Sequence, residues 1–318
     1  MSAGRAAAAG GLVAALALAA LVGCGATGGA DTTSAAAPRT GDDADLIAIP
    51  AGRFVLGHDG ATADLTDEGP AHVVVLDAFE LERTLVTVAA FRAFVAATGY
   101  VTSAERAGFG KTSVVGMKDW AWKTVRGASW RAPWGEETPR VAPQRDDLPV
   151  TMVSWDDADA YCRWRGRRLP TEAEWEYAMR AGATTRFPWG DSPTRPDGRP
   201  GLNYWEGRTH EENLARDGWV YASPVETYPP NRWGLHDPAG NVWQWVSDWY
   251  ARDAYAQDAA AHPEGVRNPQ GPVSGVFKVA RGGSWWCSAR SCHAYGLVTR
   301  GKTRPDAAFS NNGFRCAR

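Results

Sequence analysis

From residue 46 onward the chain alternates short apolar runs with turns, beginning with LIAIPAGRFVLG (46–57). HVVVLDAFELER (72–83) is dense in β-branched and aromatic residues, which predicts one or two strands. The period then changes. In TVAAFRAFVAATGY (87–100), Phe91, Phe94 and Val95 fall on one helical stripe, Thr87 is placed to cap its start and Gly99 to end it. Two more helices are signposted in VSWDDADAYCRWRGRRLPTEAEWEYAMRAG (153–182). Ser154 with Asp157 opens the first and Gly166 closes it; Thr171 with Glu174 forms a capping box for the second, and Gly182 terminates it. Beyond residue 183 the pattern reads as turns, short strands and tryptophans. No internal repeat and no linker interrupt residues 47–318, which read as one domain.

The first 46 residues follow other rules. Arg5, the apolar run GLVAALALAALVG and small residues before Cys24 have the form of an export signal, too short for a comfortable membrane span. LVGC (21–24) resembles the bacterial lipobox. Residues 1–23 are therefore expected to be a lipoprotein signal peptide, with Cys24 lipidated on the outer face of a bacterial cell membrane. Residues 24–46 are small and polar, unable to bury enough surface to fold, and would form a flexible tether reaching about 25 Å. The membrane contact expected is through this anchor only.

Composition narrows the picture. Sixteen Trp beside 35 Gly and 20 Pro rule out a mostly helical chain and predict an α+β fold, low in regular secondary structure, with loops pinned by a Trp-rich core. A net charge of −2 without a basic stripe excludes a nucleic-acid partner. The six histidines form no metal-binding spacing and read as surface or loop residues. No phosphate loop, nucleophile elbow or EF-hand pattern is present.

Sulfur is the remaining candidate chemistry. Cys287 and Cys292 stand five apart in GGSWWCSARSCHAYG (282–296). A helix would set them about 140° apart and a strand would face them oppositely, so they meet only if SARS (288–291) turns. Two converging thiolates without histidine suit a soft ion such as copper(I); a plain disulfide is the alternative that the spacing leaves open.

The order of IPAGRFVLG, GASWRAPWG, LPVTMVSWDDADAYCRWRGRRLPTEAEWEYAMRAG, FPWG, NRWGLHDPAGNVWQWVSDWY, RGGSWWCSARSC and NNGFRCAR resembles the formylglycine-generating enzymes, also called sulfatase-modifying factors. The resemblance spans residues 46–318 and, through RGGSWWCSARSC, points to the catalytic two-cysteine branch. It implies a C-type-lectin-like domain, acting as a monomer, that uses O2 to oxidise a cysteine in a client C-x-P-x-R segment of a sulfatase or related hydrolase to Cα-formylglycine. The steps implied are removal of a Cβ hydrogen and hydrolysis of the resulting thioaldehyde. Cys287 and Cys292 would hold copper(I), with Ser284 and Trp245 beside them and Arg300 and Asn311 lining the pocket. Cys162 and Cys316 match a disulfide; a second family disulfide is replaced by Met179 and Leu297.

The same resemblance implies a structural calcium ion held by Asn203, Tyr204, Asp217 and Trp219. A second would use the backbone carbonyls of Ala239, Gly240 and Val242, with the uncharged Gln244 in place of a carboxylate and hence weaker binding. Ala307 and Ala308 stand where the family commonly has serines. Two other functions share this scaffold: a non-catalytic lectin-like binding module and an iron-dependent sulfoxide synthase. The latter usually carries an extra helical domain supplying histidines, which this chain does not show.

Overall fold

The computed structural model describes residues 43–60, 67–118, 121–135, 144–288 and 295–318. Cys24, the leader, most of the expected tether, Cys292 and His293 lie outside them. Among the described residues no helix is long and apolar enough to cross a membrane.

In chain order the elements are β1 (Leu46–Ile49), β2 (Gly52–Leu56), β3 (His72–Leu76), β4 (Phe79–Glu82), α1 (Val88–Thr98), α2 (Ser103–Ala107), β5 (Phe109–Thr112) and β6 (Lys123–Arg126). Then come α3 (Trp155–Trp164), α4 (Glu172–Arg180), β7 (Trp243–Trp249), α5 (Ala254–Ala261), β8 (Val266–Arg267), β9 (Lys278–Arg281), β10 (Arg300–Thr303) and β11 (Asn312–Gly313). The architecture is mixed α+β with long stretches of ordered loop.

The helix starts follow from local side-chain chemistry. The Thr87 hydroxyl accepts the Ala90 N–H, and both Ser154/Asp157 and Thr171/Glu174 close reciprocal capping boxes. Gly99 takes the left-handed conformation at the end of α1. At the end of α4 the left-handed turn comes one residue before the expected Gly182, at Ala181 (φ 45°). The apolar run 72–83 divides into two strands with different partners: β3 pairs with β2, whereas β4 pairs with β1. Two helices lack a counterpart in the sequence reading. α2 has its own Thr102/Glu105 capping box, and α5 has no side-chain cap at all.

The sheet that carries the site has the order β10-β9-β7-β11, antiparallel except for the parallel β7–β11 pair. Beside it, Phe91, Phe94, Trp130, Tyr161, Trp245 and Phe314 form one aromatic core in which Cys162 and Cys316 are joined as a disulfide. A second core surrounds Trp175 and includes both Met179 and Leu297. Buried charges are paired. Arg281 and Arg300 both grip Glu172, with N–O distances of 2.7 and 2.8 Å, and Arg281 also meets Glu176. The last residues zip onto the strands: Glu82 N–H donates to the Cys316 carbonyl, and Glu80 and Arg318 exchange backbone bonds.

Candidate active site

β9 ends at Arg281, and the chain turns sharply because Gly282 and Gly283 both adopt positive φ, 89° and 75°. A side chain at Gly282 would press on the Trp175 ring at 3.0 Å in a conformation that already disfavours L residues. The turn delivers Ser284 through Cys287 into the interior. Its backbone is held from several directions: Trp285 N–H donates to Asn241 O, Cys287 N–H to Ser284 O, and Trp205 N–H to Cys287 O, at 2.8–2.9 Å.

Ser284 is wholly buried and its hydroxyl has a defined direction. Asn311 Nδ2 donates to Ser284 Oγ at 2.9 Å and Trp286 N–H donates at 3.3 Å. Those two donors fill the oxygen's lone pairs, so its own hydrogen must be given away. The sulfur of Cys287, 3.6 Å from Ser284 Oγ, receives it. Cys287 is 1% exposed and packs with Phe187, Leu202, Ala239 and Tyr295. Its sulfur is disulfide-bonded, to a partner outside the described residues. Serine and asparagine thus present a directed donor to sulfur within an aromatic, water-poor pocket.

Behind the turn stands an indole wall. Trp285 packs edge-on to Tyr221 and next to Trp134, and Trp286 packs against Trp205. The other expected site residues divide. Asn311 is in the site. Trp245 lies in the aromatic core with the Cys162–Cys316 disulfide, its Nε1 donating to Val153 O at 3.1 Å. Arg300, expected to line the pocket, is instead a buried structural ion: its guanidinium chelates Glu172 and donates to the carbonyls of Asp67 and Ala251. Ala308 sits in a small apolar cluster with Ala104, Ala128 and Met152.

The donors present decide which ions suit the fold. A buried thiol sulfur among aromatic rings, with a hydroxyl as its polar neighbour, matches a soft, low-charge ion once the sulfur is reduced. Its expected co-ligand, Cys292, lies outside the described residues. The first calcium set offers one unmet oxygen. Asn203 Oδ1 is buried without a hydrogen-bond partner, an unmet oxygen of the kind a hard cation satisfies. Asp217, in the same set, has its carboxyl pushed up to about 6 by burial, with the charge of Glu206 adding to the effect. Trp219 N–H and the Tyr228 hydroxyl each donate to one of its oxygens. Tyr204 stacks on Tyr295, which links this set to the Cys287 pocket.

The second calcium set is different. Gln244 Oε1 already accepts from Trp175 Nε1 and Arg315 Nε, both at 2.9 Å, while its Nε2 donates to Asp237 O. Both lone pairs are spent, which leaves Gln244 no lone pair for an ion. Among the described residues no group of three or more His, Cys, Asp or Glu side chains is placed to hold a metal.

Two histidines depart from the expectation of surface positions. His72 and His210 are buried, and His210 packs against the indole wall. His210 lies in a loop with no local pattern that would reveal this, whereas His72 opens β3 in phase with the buried Val74 and Leu76.

Residues 31–318 match the family model described as the sulfatase-modifying factor enzyme 1-like domain. The formylglycine-generating enzyme of Streptomyces coelicolor is 43% identical over 85% of this chain and 88% of its own length. That of Bos taurus is 40% identical over 86% and 74%. An inactive C-alpha-formylglycine-generating enzyme 2 of Mus musculus is 35% identical, covering 86% of each. The structure of PvdO from Pseudomonas aeruginosa shares the fold, with a TM-score of 0.64 at 24% identity over 86% of this chain and 93% of that one. With the family model spanning the whole described fold and curated relatives at 40–43% identity, this chain belongs to the sulfatase-modifying factor, or formylglycine-generating enzyme, family.

Proposed function

We propose that this chain converts a cysteine in a C-x-P-x-R segment of a client sulfatase or related hydrolase to Cα-formylglycine, with O2 as oxidant. The observation that carries the reading is the directed Asn311–Ser284–Cys287 contact in a buried aromatic pocket. Copper(I), held by Cys287 and Cys292, would supply the redox chemistry between client thiolate and dioxygen. The protein's own residues do the rest. The Ser284 hydroxyl stabilises charge on the Cys287 sulfur, and Asn311 keeps that hydroxyl aimed. The indole wall fixes the turn and keeps bulk water from the reacting sulfur. Calcium at Asn203, Tyr204, Asp217 and Trp219 would brace the loop that contacts the pocket through Tyr204. The leader and a lipid on Cys24 would hold the single chain on the outer face of the membrane, where it would meet exported clients.

The disulfide at Cys287 makes reduction a precondition of copper binding. It also favours one second reading, a non-catalytic binding module, a reading that the inactive mouse relative also supports. One experiment separates the two. Protein reduced under mild conditions is loaded anaerobically with copper(I), then incubated in air with a C-x-P-x-R peptide, and the products are weighed by mass spectrometry. Aldehyde formation by wild type, and none by Cys287→Ser with an unchanged unfolding midpoint, is the expected result. Copper-loaded wild type that never yields aldehyde leaves the binding module standing.

A further inference from the structure

His210 belongs to none of the motifs that carry the family resemblance, yet it is 1% exposed and built into the wall behind the reactive turn. Its ring stacks on Trp286 with centroids 3.8 Å apart and a 20° tilt, and Trp205 closes on it from another side at 4.9 Å. His210 Nε2 lies 2.6 Å from the Trp286 carbonyl oxygen. A carbonyl can only accept, so the imidazole carries its proton on Nε2 and donates it. The main chain of His210 is tied as well, its carbonyl accepting the Gly116 N–H at 2.9 Å.

The consequence lies in which peptide is gripped. His210 holds the carbonyl of residue 286, and Trp205 N–H holds the carbonyl of residue 287, at 2.8 Å. Two consecutive carbonyls are thereby pinned, while Trp286 N–H is aimed at Ser284 Oγ. The peptide joining Trp286 to Cys287 has little freedom left to rotate, and that rotation sets where the Cys287 sulfur points. We infer that His210 is a positioning residue for the cysteine chemistry, holding Cys287 in register with Ser284 through the Trp286 carbonyl. The geometric part of this inference stands alone; its effect on turnover rests on the function proposed above.

The rival explanation is that His210 only fills space beneath two tryptophans. His210→Phe keeps an aromatic ring for the stacking but removes the donor, and His210→Gln returns an N–H donor. Each variant is mildly reduced, and alkylation of Cys287 by iodoacetamide at one fixed pH is followed by peptide mapping, below the melting temperature of every protein compared. Losing one hydrogen bond to a buried carbonyl should raise the alkylation rate about tenfold in His210→Phe. In copper-loaded enzyme the same variant should lose about tenfold in kcat with KM within about twofold, and His210→Gln should recover most of both losses. His210→Phe matching wild type in alkylation and kcat overturns the inference, as does His210→Gln faring no better than His210→Phe. If His210→Phe does not fold, His210→Met against His210→Gln makes the same comparison. A wild type that forms no aldehyde sinks the proposed function, while the alkylation rates still decide the role of His210.

Discussion

Replacing Cys162 and Cys316 together by alanine should remove about 5–7 kcal/mol of stability without changing the fold. The two residues are 154 apart in sequence, so the cross-link closes a loop of nearly half the chain in the unfolded state. With a closed loop of that length, the loop-closure relation gives about 17 cal/mol/K, or about 5 kcal/mol at 25 °C. Both sulfurs sit at 0% exposure among Phe91, Trp130, Tyr161 and Phe314. Two sulfur-sized voids there would add up to about 1 kcal/mol each. The terminal segment keeps its other fastenings, including the Cys316 N–H to Glu82 Oε2 at 2.7 Å and the backbone pair between Ala317 and Arg168. The variant should therefore fold, close to the margin of a typical domain. Urea unfolding followed by tryptophan fluorescence measures the loss directly. A drop under about 2 kcal/mol at unchanged m-value would refute the assignment of this stability to loop closure.

Glu172→Gln should cost about 3–5 kcal/mol, because it takes from the buried Arg300 the carboxylate it chelates and leaves Arg281 with Glu176 as its carboxylate. Asp159→Asn, which breaks an exposed i,i+4 pair with Arg163, should cost under about 1 kcal/mol in the same assay. Burial, reinforced by the nearby charge of Glu172, pushes the Asp248 carboxyl up to about 7 from an ordinary 3.8. Between those values the folded state binds more protons than the unfolded one, so this group's contribution falls as pH rises from about 4 to about 7. Asp248→Asn should therefore gain stability relative to wild type over that interval, as urea titrations at pH 5 and pH 8 would show; a constant difference contradicts the assignment. Calcium should raise the wild-type melting temperature and leave Asn203→Ala unmoved; equal shifts in both would remove Asn203 from the calcium set.

Much of the scaffold was legible because its instructions are local. Thr87, Ser154 and Thr171 cap helices through groups three residues away, and a reader of the chain has all the information such a contact needs. α5 escaped because nothing local marks its start: Asp253 makes no capping bond, and the alanine-rich segment has only propensity and the burial of Tyr255 in its favour. The site was legible where a motif packs its own residues together, as Ser284 and Cys287 do within one turn. It was obscure where the partner is distant. Arg300 meets Glu172 from 128 residues away, and Gln244 meets Trp175 and Arg315 across 69 and 71. A sequence position alone says only that such a residue can hydrogen-bond. The fold decides that Arg300 braces the interior and that Gln244 is already occupied.

Under the proposed function, the same division would let one domain keep two sulfur chemistries apart. Cys162 and Cys316 sit among apolar ring faces, and opening that bond forfeits the constraint on more than a hundred residues. Cys287 sits where its turn supplies a hydroxyl whose hydrogen has no other place to go, since Asn311 and Trp286 have taken the oxygen's lone pairs. A sulfur released as thiolate is met by a donor at the second position and by little beyond aromatic carbon at the first. Under the proposed function the Ser284 hydroxyl would favour a reduced Cys287 sulfur, although here that sulfur, like those of Cys162 and Cys316, is in a disulfide. A fixed positive charge at Cys287 would stabilise the thiolate more strongly. It would also oppose a cationic metal, so under the proposed function a directed hydroxyl would stabilise the thiolate without repelling the copper ion.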